Sequence, residues 1–296
     1  MTQDEQFMIR ALELAAFGAG HVSPNPMVGA VVTAPDGRII GEGFHRRYGE
    51  AHAEVNAIAS VSEEELYLLK DATVYVTLEP CSHYGKTPPC AAMLCECGVK
   101  RVVIGTGDPN PKVAGRGINM LKQAGIRVTE HCLEDECRQI NVRFFTAHEK
   151  KRPWIQLKWA EDVKGRMSAD DEPLTISTAL TRALMHAQRA QCDAIMVGTN
   201  TLLSDNPSLT TRYWPGNSPR PVIFDSPGLK GNEKQLQIFK RNPIILDRSK
   251  TLECNIRLLF EEYGITSLMV EGGRKLLDSF INAGLYDNIR IEREIC

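Results

Sequence analysis

The chain has 296 residues, of which 43% are hydrophobic and 24% are charged. This length and composition are typical of a globular protein with a sizeable core, and they favour two domains. The 35 basic and 37 acidic residues nearly balance, which rules out the overall basic excess of a protein that tracks a nucleic-acid backbone. We therefore expect a small molecule as the partner and no nucleic acid.

Neither the N-terminal residues nor the cysteines indicate export. Residues 1–5 lack the basic and apolar segments of a signal peptide, and the nine cysteines show no regular disulfide spacing. The sequence also contains no run of about 18 apolar residues that would span a membrane. We expect reduced thiols, no membrane association and a cytoplasmic location.

The first half of the chain alternates between strand and helix patterns. The turn signal Ala34-Pro35-Asp36-Gly37 predicts a hairpin, and apolar residues at helical spacing predict an amphipathic helix before it. Strands are predicted at residues 28–33, 38–43, 71–78, 101–105 and 126–130, and helices at residues 4–17 and 117–123. Alternating strands and helices around one sheet predict a three-layer α/β domain.

Two short runs carry the residues most typical of metal chemistry. These are His52-Ala53-Glu54 and Glu79-Pro80-Cys81, the second followed by Cys90. One imidazole and two thiolates are three of the four ligands of tetrahedral Zn²⁺, and they leave a position open for water, as catalytic zinc requires. Glu54, which is not a ligand, could then carry a proton from that water to a leaving amine. The pattern is typical of zinc nucleobase deaminases, although the two cysteines are more widely spaced here.

The spacing also predicts where these residues lie. His52 and Glu54 are two apart and cannot share a helix face, so they are expected at a helix entrance. Cys81 follows a buried strand, and Cys90 opens a helix whose dipole stabilises a thiolate. One alternative remains open: His83 could be a fourth protein ligand, which would make the zinc site closed and structural and leave Glu54 without a role.

Four runs in the same order resemble the family of bifunctional riboflavin-biosynthesis deaminase-reductases: residues 23–31, 49–54, 77–90 and 108–111. The resemblance implies a cytidine-deaminase-like N-terminal domain that removes the 2-amino group of a phosphoribosylated diaminopyrimidinone. It also implies which residues hold the pyrimidine and its ribose phosphate: Asn25, His45, Lys86, Asp108 and Asn110. The flexible ammonium group of Lys86 suits a phosphate as a point charge.

A polar stretch at residues 147–153 predicts the domain boundary, with a deaminase domain at 1–147 and a second domain at 153–296. Strands in the second domain are predicted at residues 154–160, 193–198, 221–224, 243–246 and 267–270, and helices at 178–190 and 275–283. Glycine-rich turns after two of these strands, at 198–201 and 271–274, present backbone N–H groups to which a dinucleotide phosphate could bind.

The second domain also resembles the family. Its Val-Gly-x-x-Thr, Asp-Asn-Pro-x-Leu-Thr-x-Arg and Glu-Gly-Gly runs are similar to those of the family's reductase domain, which implies a dihydrofolate-reductase-like fold and NADPH-dependent reduction of a ribosyl to a ribityl side chain. The implied cofactor contacts are Ala160, Thr201, Asp205, Ser226, Gly273 and Arg274. The implied substrate contacts are Lys158, Asn206, Leu209, Arg212 and Glu271.

The second domain departs from the family pattern at residues 161–164 and at Thr175, and the chain stops at Cys296, where the family continues into further strands. We therefore expect a C-terminally shortened reductase domain with a sheet edge that another chain, including a second copy, could cover. Three functions remain open. They are a bifunctional enzyme, an active deaminase with a non-functional reductase domain, and a binding module built around a structural zinc.

Overall fold

The structure is a computed structural model that describes residues 1–82, 88–110, 113–167, 178–229, 231–232 and 234–293. The chain divides into two compact units, Met1–Glu149 and Lys150–Cys296. None of the helices in these described ranges is long and apolar enough to cross a membrane.

The first unit contains one five-stranded sheet. Its strands are β1 Gly29–Thr33, β2 Ile39–Phe44, β3 Thr73–Leu78, β4 Arg101–Thr106 and β5 Arg127–Thr129. Its helices are α1 Gln3–Ala16, α2 Ala53–Ala59, α3 Cys90–Cys97, α4 Arg116–Gln123, α5 Glu134–Ile140 and α6 Val142–Lys150, with a 3-10 helix at Glu63–Asp71. The strand order is β2-β1-β3-β4-β5, in which β1 is antiparallel to both neighbours and the other pairs are parallel.

The alternation of side chains along the central strands produces two apolar faces, and helices cover both. On one face, Met8 and Ala11 of α1 pack with Val31 and Val103 of the sheet. On the other face, helices α2, α3 and α4 pack against the opposite side chains of the same strands, Val32, Val74, Val76, Val102 and Ile104. The first unit therefore has the three layers that the sequence predicts.

The second unit contains one six-stranded, fully parallel sheet. Its strands are β6 Trp154–Glu161, β7 Ala194–Met196, β8 Arg220–Phe224, β9 Ile244–Leu246, β10 Ser267–Glu271 and β11 Asn288–Arg293, and its helices are α7 Ala179–Ala190, α8 Thr199–Asp205, α9 Leu252–Glu261 and α10 Arg274–Asn282. The strand order is β11-β6-β10-β7-β8-β9. Helices α9 and α10 cover one face of this sheet, and α7 and α8 cover the other.

Three elements of the second unit differ from the sequence prediction. Residues 199–205 form helix α8 directly after Gly198 rather than an open turn, because Leu202 is fully buried in the core beneath it. Helix α9 was not predicted, although Thr251 caps its start by accepting from the Cys254 N–H. Strand β11 was also missed, and it forms one edge of the sheet beside β6.

Candidate functional site

The chemistry-bearing residues of the first unit meet at one edge of its sheet. Because β1 is antiparallel to β2 and β3 whereas β3 and β4 are parallel, the ends of β2, β3 and β4 and the start of β1 lie at the same edge. His45 follows β2, Asn25 precedes β1, Cys81 follows β3 and Asp108 follows β4. Strand topology therefore gathers residues that are distant in the sequence.

The structure places His52, Cys81 and Cys90 with their ligand atoms all within 4.8 Å of one another. The His52 Nδ1 atom lies 3.6 Å from Cys81 Sγ and 3.4 Å from Cys90 Sγ. Ligand atoms bound to one zinc ion at about 2.0–2.3 Å are separated by roughly 3.5–3.8 Å along the edges of a tetrahedron. The three side chains therefore fit a zinc ion.

Two of the ligands lie at helix starts, and Cys81 lies on the loop after β3. His52 is the N-cap residue of α2, and Cys90 is the first residue of α3. The Cys90 N–H donates to Cys81 Sγ at 3.2 Å. The Cys90 thiol, together with His52 and this N–H, holds the pKa of Cys81 well below its usual range. Cys81 in turn raises the pKa of His52, so the thiolate that a metal requires is stabilised in place.

Glu54 lies in the first turn of α2, with only 3% of its surface exposed. Burial raises the pKa of its carboxyl to about 7, and the charge of Cys81 adds to this shift. A buried carboxyl that titrates near neutrality is suited to both accepting and donating a proton. The sequence prediction placed His52 and Glu54 at a helix entrance, and they lie there.

Helix α2 packs unusually close to β2, because two glycines of that strand lie beneath it. A Cβ atom added at Gly41 would lie 2.4 Å from the Ala57 carbonyl oxygen, and one at Gly43 would lie 2.3 Å from the Ala57 nitrogen. Both distances are far below van der Waals contact. The helix that carries His52 and Glu54 therefore rests directly on the backbone of the strand.

Asn25 and His45 form one hydrogen-bonded chain beside the metal ligands. The His45 Nδ1–H donates to the Ala51 carbonyl at 3.1 Å, which leaves Nε2 to accept from Asn25 Nδ2 at 3.2 Å. Burial lowers the pKa of His45, which favours this neutral form. The ring of His45 meets that of His52 edge-on, with centroids 5.4 Å apart.

Asp108 and Asn110 lie on the loop after β4, where the Asn110 N–H donates to Asp108 Oδ1 at 2.7 Å. The loop is tied to Glu79, whose carboxylate accepts the Asp108 N–H at 3.3 Å. No role for Glu79 is predicted from the sequence. Lys86 and His83 lie outside the described residues, so the predicted phosphate contact and the alternative fourth ligand stay predictions.

In the second unit the residues assigned to the cofactor follow the carboxyl ends of parallel strands, which share one edge of the sheet. Thr201 lies after β7, Ser226 after β8, and Gly273 and Arg274 after β10, while Ala160 lies at the end of β6. A Cβ atom built at Gly273 would lie 3.2 Å from Thr201 Oγ1 and 3.7 Å from the Gly198 Cα. The two glycine-containing segments therefore meet, and the start of α10 offers N–H groups to a phosphate.

A cavity of about 540 Å³ lies in the same unit, lined mainly by residues of α7 and of the segment 205–212. Four residues that the sequence assigns to cofactor or substrate line it: Asp205, Asn206, Leu209 and Arg212. Arg182, His186 and Arg189 of α7 also line it, although no role for them is predicted from the sequence. Their i, i+4, i+7 spacing places them on one face of α7. This charged face is the feature of the sequence that could have indicated a binding site. The arginines that line the cavity suit an anionic ligand.

Arg189 joins two parts of this second site. Its guanidinium donates to both oxygens of Glu271, at 2.8 and 2.6 Å, and to the Thr210 carbonyl at 3.1 Å. Arg241 donates to the preceding carbonyls of Ser208 and Leu209, each at 3.1 Å. Three successive carbonyls of the loop are thereby held by two arginines.

The remaining residues assigned to this unit lie in ion pairs or strand positions near the same edge. Lys158 pairs with Glu292 of β11, with 3.3 Å between Nζ and Oε2, and it lies opposite Glu271 of β10 in the strand register. Glu161, in the segment that departs from the family pattern, accepts from Trp159 Nε1 and from Arg293. Arg274 pairs with Asp278 along its own helix.

Comparisons with known proteins identify a family for each unit. Residues 1–106 match the cytidine and deoxycytidylate deaminase zinc-binding region, and residues 153–292 match the RibD C-terminal domain. The riboflavin biosynthesis protein RibD of Aquifex aeolicus is 37% identical over 97% of this chain and 85% of its own length. The Escherichia coli protein of that name is 46% identical over 71% of this chain and 56% of its own length.

Solved structures give the same result. The diaminohydroxyphosphoribosylaminopyrimidine deaminase/5-amino-6-(5-phosphoribosylamino)uracil reductase of Thermotoga maritima has a TM-score of 0.85 at 40% identity, covering 95% of this chain and 84% of its own. A form of Acinetobacter baumannii RibD has a TM-score of 0.87 at 34% identity, covering 99% and 88%. The chain therefore belongs to the RibD family of riboflavin biosynthesis, whose members join a zinc-binding deaminase domain to a reductase domain.

Proposed function

We propose that the chain catalyses two successive reactions of riboflavin biosynthesis. The first is zinc-dependent hydrolytic deamination of 2,5-diamino-6-ribosylamino-4(3H)-pyrimidinone 5′-phosphate, and the second is NADPH-dependent reduction of the ribosyl to a ribityl side chain. The observation that carries the proposal is the convergence of His52, Cys81 and Cys90 beside the buried carboxyl of Glu54. Family membership over nearly the whole chain supports it.

In the deamination step, His52, Cys81 and Cys90 hold the zinc ion. The bound ion supplies Lewis acidity and a water activated for attack at neutral pH. Glu54 accepts a proton from the attacking water and donates it to the departing amine, which its burial and its position in the first turn of α2 allow. The pyrimidine and its ribose phosphate are held by Asn25, His45, Lys86, Asp108 and Asn110, of which Lys86 suits the phosphate as a point charge.

In the reduction step, NADPH supplies the hydride. Ala160, Thr201, Asp205, Ser226, Gly273 and Arg274 bind the cofactor at the carboxyl edge of the parallel sheet. Arg212 holds the substrate phosphate in the cavity with Asn206 and Leu209, since a planar guanidinium can bind two oxygens at once. Lys158 and Glu271, which lie opposite each other on neighbouring strands, contact the ribosyl group.

We assign the deaminase to residues 1–147 and the reductase to residues 153–296. We infer a cytoplasmic location, which the absence of a disulfide bond among the eight described cysteines supports.

One assay tests both reactions and separates the alternatives. The purified protein is given the diaminopyrimidine substrate and NADPH, and ammonia release and NADPH oxidation are followed together. We expect ammonia release first and NADPH oxidation after it. Ammonia release with no NADPH oxidation at saturating deaminated product would show a non-functional reductase domain. A protein that binds zinc but performs neither reaction would indicate the structural-zinc binding module.

A further inference from the structure

Glu79 precedes the metal ligand Cys81 by two residues, and 4% of its surface is exposed. Its carboxylate accepts four backbone N–H groups from one neighbouring segment. Oε2 accepts from Asp108 at 3.3 Å and from Gly115 at 2.9 Å. Oε1 accepts from Gly117 at 3.0 Å and from Ile118 at 3.4 Å. A carboxylate offers acceptors only, so all four donors are satisfied by one side chain.

The two oxygens serve two parts of that segment. Oε1 caps helix α4 from a different element, because the N-cap residue Gly115 has no side chain to do so. A negative charge at this helix start is also favoured by the helix dipole. Oε2 binds the first and last N–H of residues 108–115, so it fixes both ends of the loop that carries Asn110.

The packing around Glu79 leaves this segment little freedom to shift. A Cβ atom added at Gly117 would lie 2.0 Å from the Pro80 carbonyl oxygen, so the start of α4 rests on the backbone between Glu79 and Cys81. Two residues of extended chain span at most about 7 Å. The anchor of the loop and a ligand of the metal are therefore parts of the same short, packed run.

We propose that Glu79 is a positioning residue for deamination, which sets the place of Asp108 and Asn110 relative to the metal centre. It touches neither the reacting atoms nor the metal, and it acts through the loop that it anchors. This inference rests on the proposed deaminase function and on the assignment of Asp108 and Asn110 to the substrate. It predicts that Glu79 governs how tightly the nucleotide binds.

The test replaces the carboxylate by its isosteric amide, Glu79→Gln, in the full-length protein. Either orientation of the amide turns an NH₂ group toward two backbone N–H donors, so one pair of hydrogen bonds is lost without a change in volume. We expect the KM for the pyrimidine nucleotide to rise by about tenfold or more, with a smaller fall in kcat and an unchanged zinc stoichiometry. Glu96→Gln, which removes one exposed negative charge on α3, is the matched control and should keep the wild-type KM.

A second comparison separates positioning from general support of the fold. If Glu79 acts through Asn110, the effects of Glu79→Gln and Asn110→Ala on KM should be strongly non-additive in the double variant. Additive effects, an unchanged KM, or loss of zinc in Glu79→Gln would each overturn the proposal. Should Glu79→Gln fail to fold, Glu79→Asp keeps the charge and withdraws it by one methylene, and the same KM comparison applies. Wild-type protein that releases no ammonia would instead refute the proposed function.

Discussion

The two candidate sites differ in the kind of group that forms them. In the first unit, the metal centre consists of side chains whose chemistry is evident from their type. His52 and Cys90 lie at helix starts, and Cys81 lies on the loop after β3. In the second unit, the cavity is shaped by ion pairs and by backbone carbonyls that two arginines hold. The pair between Arg189 and Glu271 joins residues 82 positions apart in the sequence.

The two sites should therefore respond differently to single substitutions. A metal centre is held by a few strong bonds, so the loss of one ligand should strongly reduce metal binding and activity. A cavity held by many charged contacts distributes its energetics, so single substitutions are expected to be graded.

Replacing Cys90 by Ser removes a thiolate from the metal centre. We expect the zinc content to fall and ammonia release to be lost, because the remaining His52 and Cys81 supply only two protein ligands. NADPH oxidation on pre-deaminated substrate should remain. The measurement pairs metal analysis with both activity assays. If reduction also stopped, the contrast between two separate sites would break.

Replacing Glu54 by Gln tests the proton carrier without touching a ligand. Deamination should fall by about 10²-fold or more, because the amide cannot take up and return a proton. Zinc stoichiometry should stay that of the wild type. Metal analysis beside steady-state kinetics distinguishes this outcome from a loss of metal, which would reassign Glu54 to a ligand or structural role.

Replacing Arg189 by Lys keeps a positive charge but removes the planar fork that holds Glu271 and Thr210. We expect kcat/KM for reduction to fall by roughly 10- to 100-fold, since hydrogen bonds to charged groups contribute about 1.5–3 kcal/mol. Ammonia release should be unaffected.

Arg257→Lys is a suitable control for this substitution. Arg257 pairs with Glu261 on the exposed face of α9, outside the residues that line the cavity. Equal losses in the two variants would argue that any arginine of this unit supports reduction nonspecifically.

The smallest expected effect concerns pH and stability. His186 lines the cavity and is 3% exposed, and burial together with Arg189 and Arg212 lowers its pKa to about 4. In the unfolded chain it takes up its proton near pH 6.5. The unfolded state therefore holds more protons between about pH 6.5 and 4. The contribution of His186 to the free energy of unfolding is present at pH 7 and is lost as the pH falls through this window.

Comparison with His186→Gln isolates this effect from the titration of other groups. Urea denaturation at pH 7 and pH 5 should show the wild type losing on the order of 1 kcal/mol more free energy of unfolding than the variant. Equal losses in the two proteins would show that folding does not lower the pKa of His186.

Much of the fold could be predicted from the sequence, because central strands such as β3 and β4 are short apolar runs between turn signals. The edge strand β11 was harder to recognise, since its burial is partial and its charged residues resemble a solvated terminus. Helix α8 was mistaken for a turn because its seven residues are mostly polar and only Leu202 is fully buried.

The candidate metal centre could be predicted because its ligands are chemically specific and lie in short motifs. The contacts that organise the sites could not, because hydrogen bonds between distant segments leave no local pattern. Glu79 stands within the motif that the sequence analysis used, yet its four bonds reach residues 108–118 and depend on the folded loop. Arg189 and His186 likewise have no distinctive pattern in the sequence, and only the folded structure shows that they line the cavity.

The close contact between α2 and β2 has a consequence for how this sequence can change over time. Gly41 and Gly43 are the smallest residues available, and even one added methyl group at either would overlap the backbone of α2. Because α2 carries both His52 and Glu54, any substitution at the two glycines would displace a metal ligand and the proton carrier together. These two positions, which have no side chain and no chemistry, should tolerate as little variation as the zinc ligands themselves.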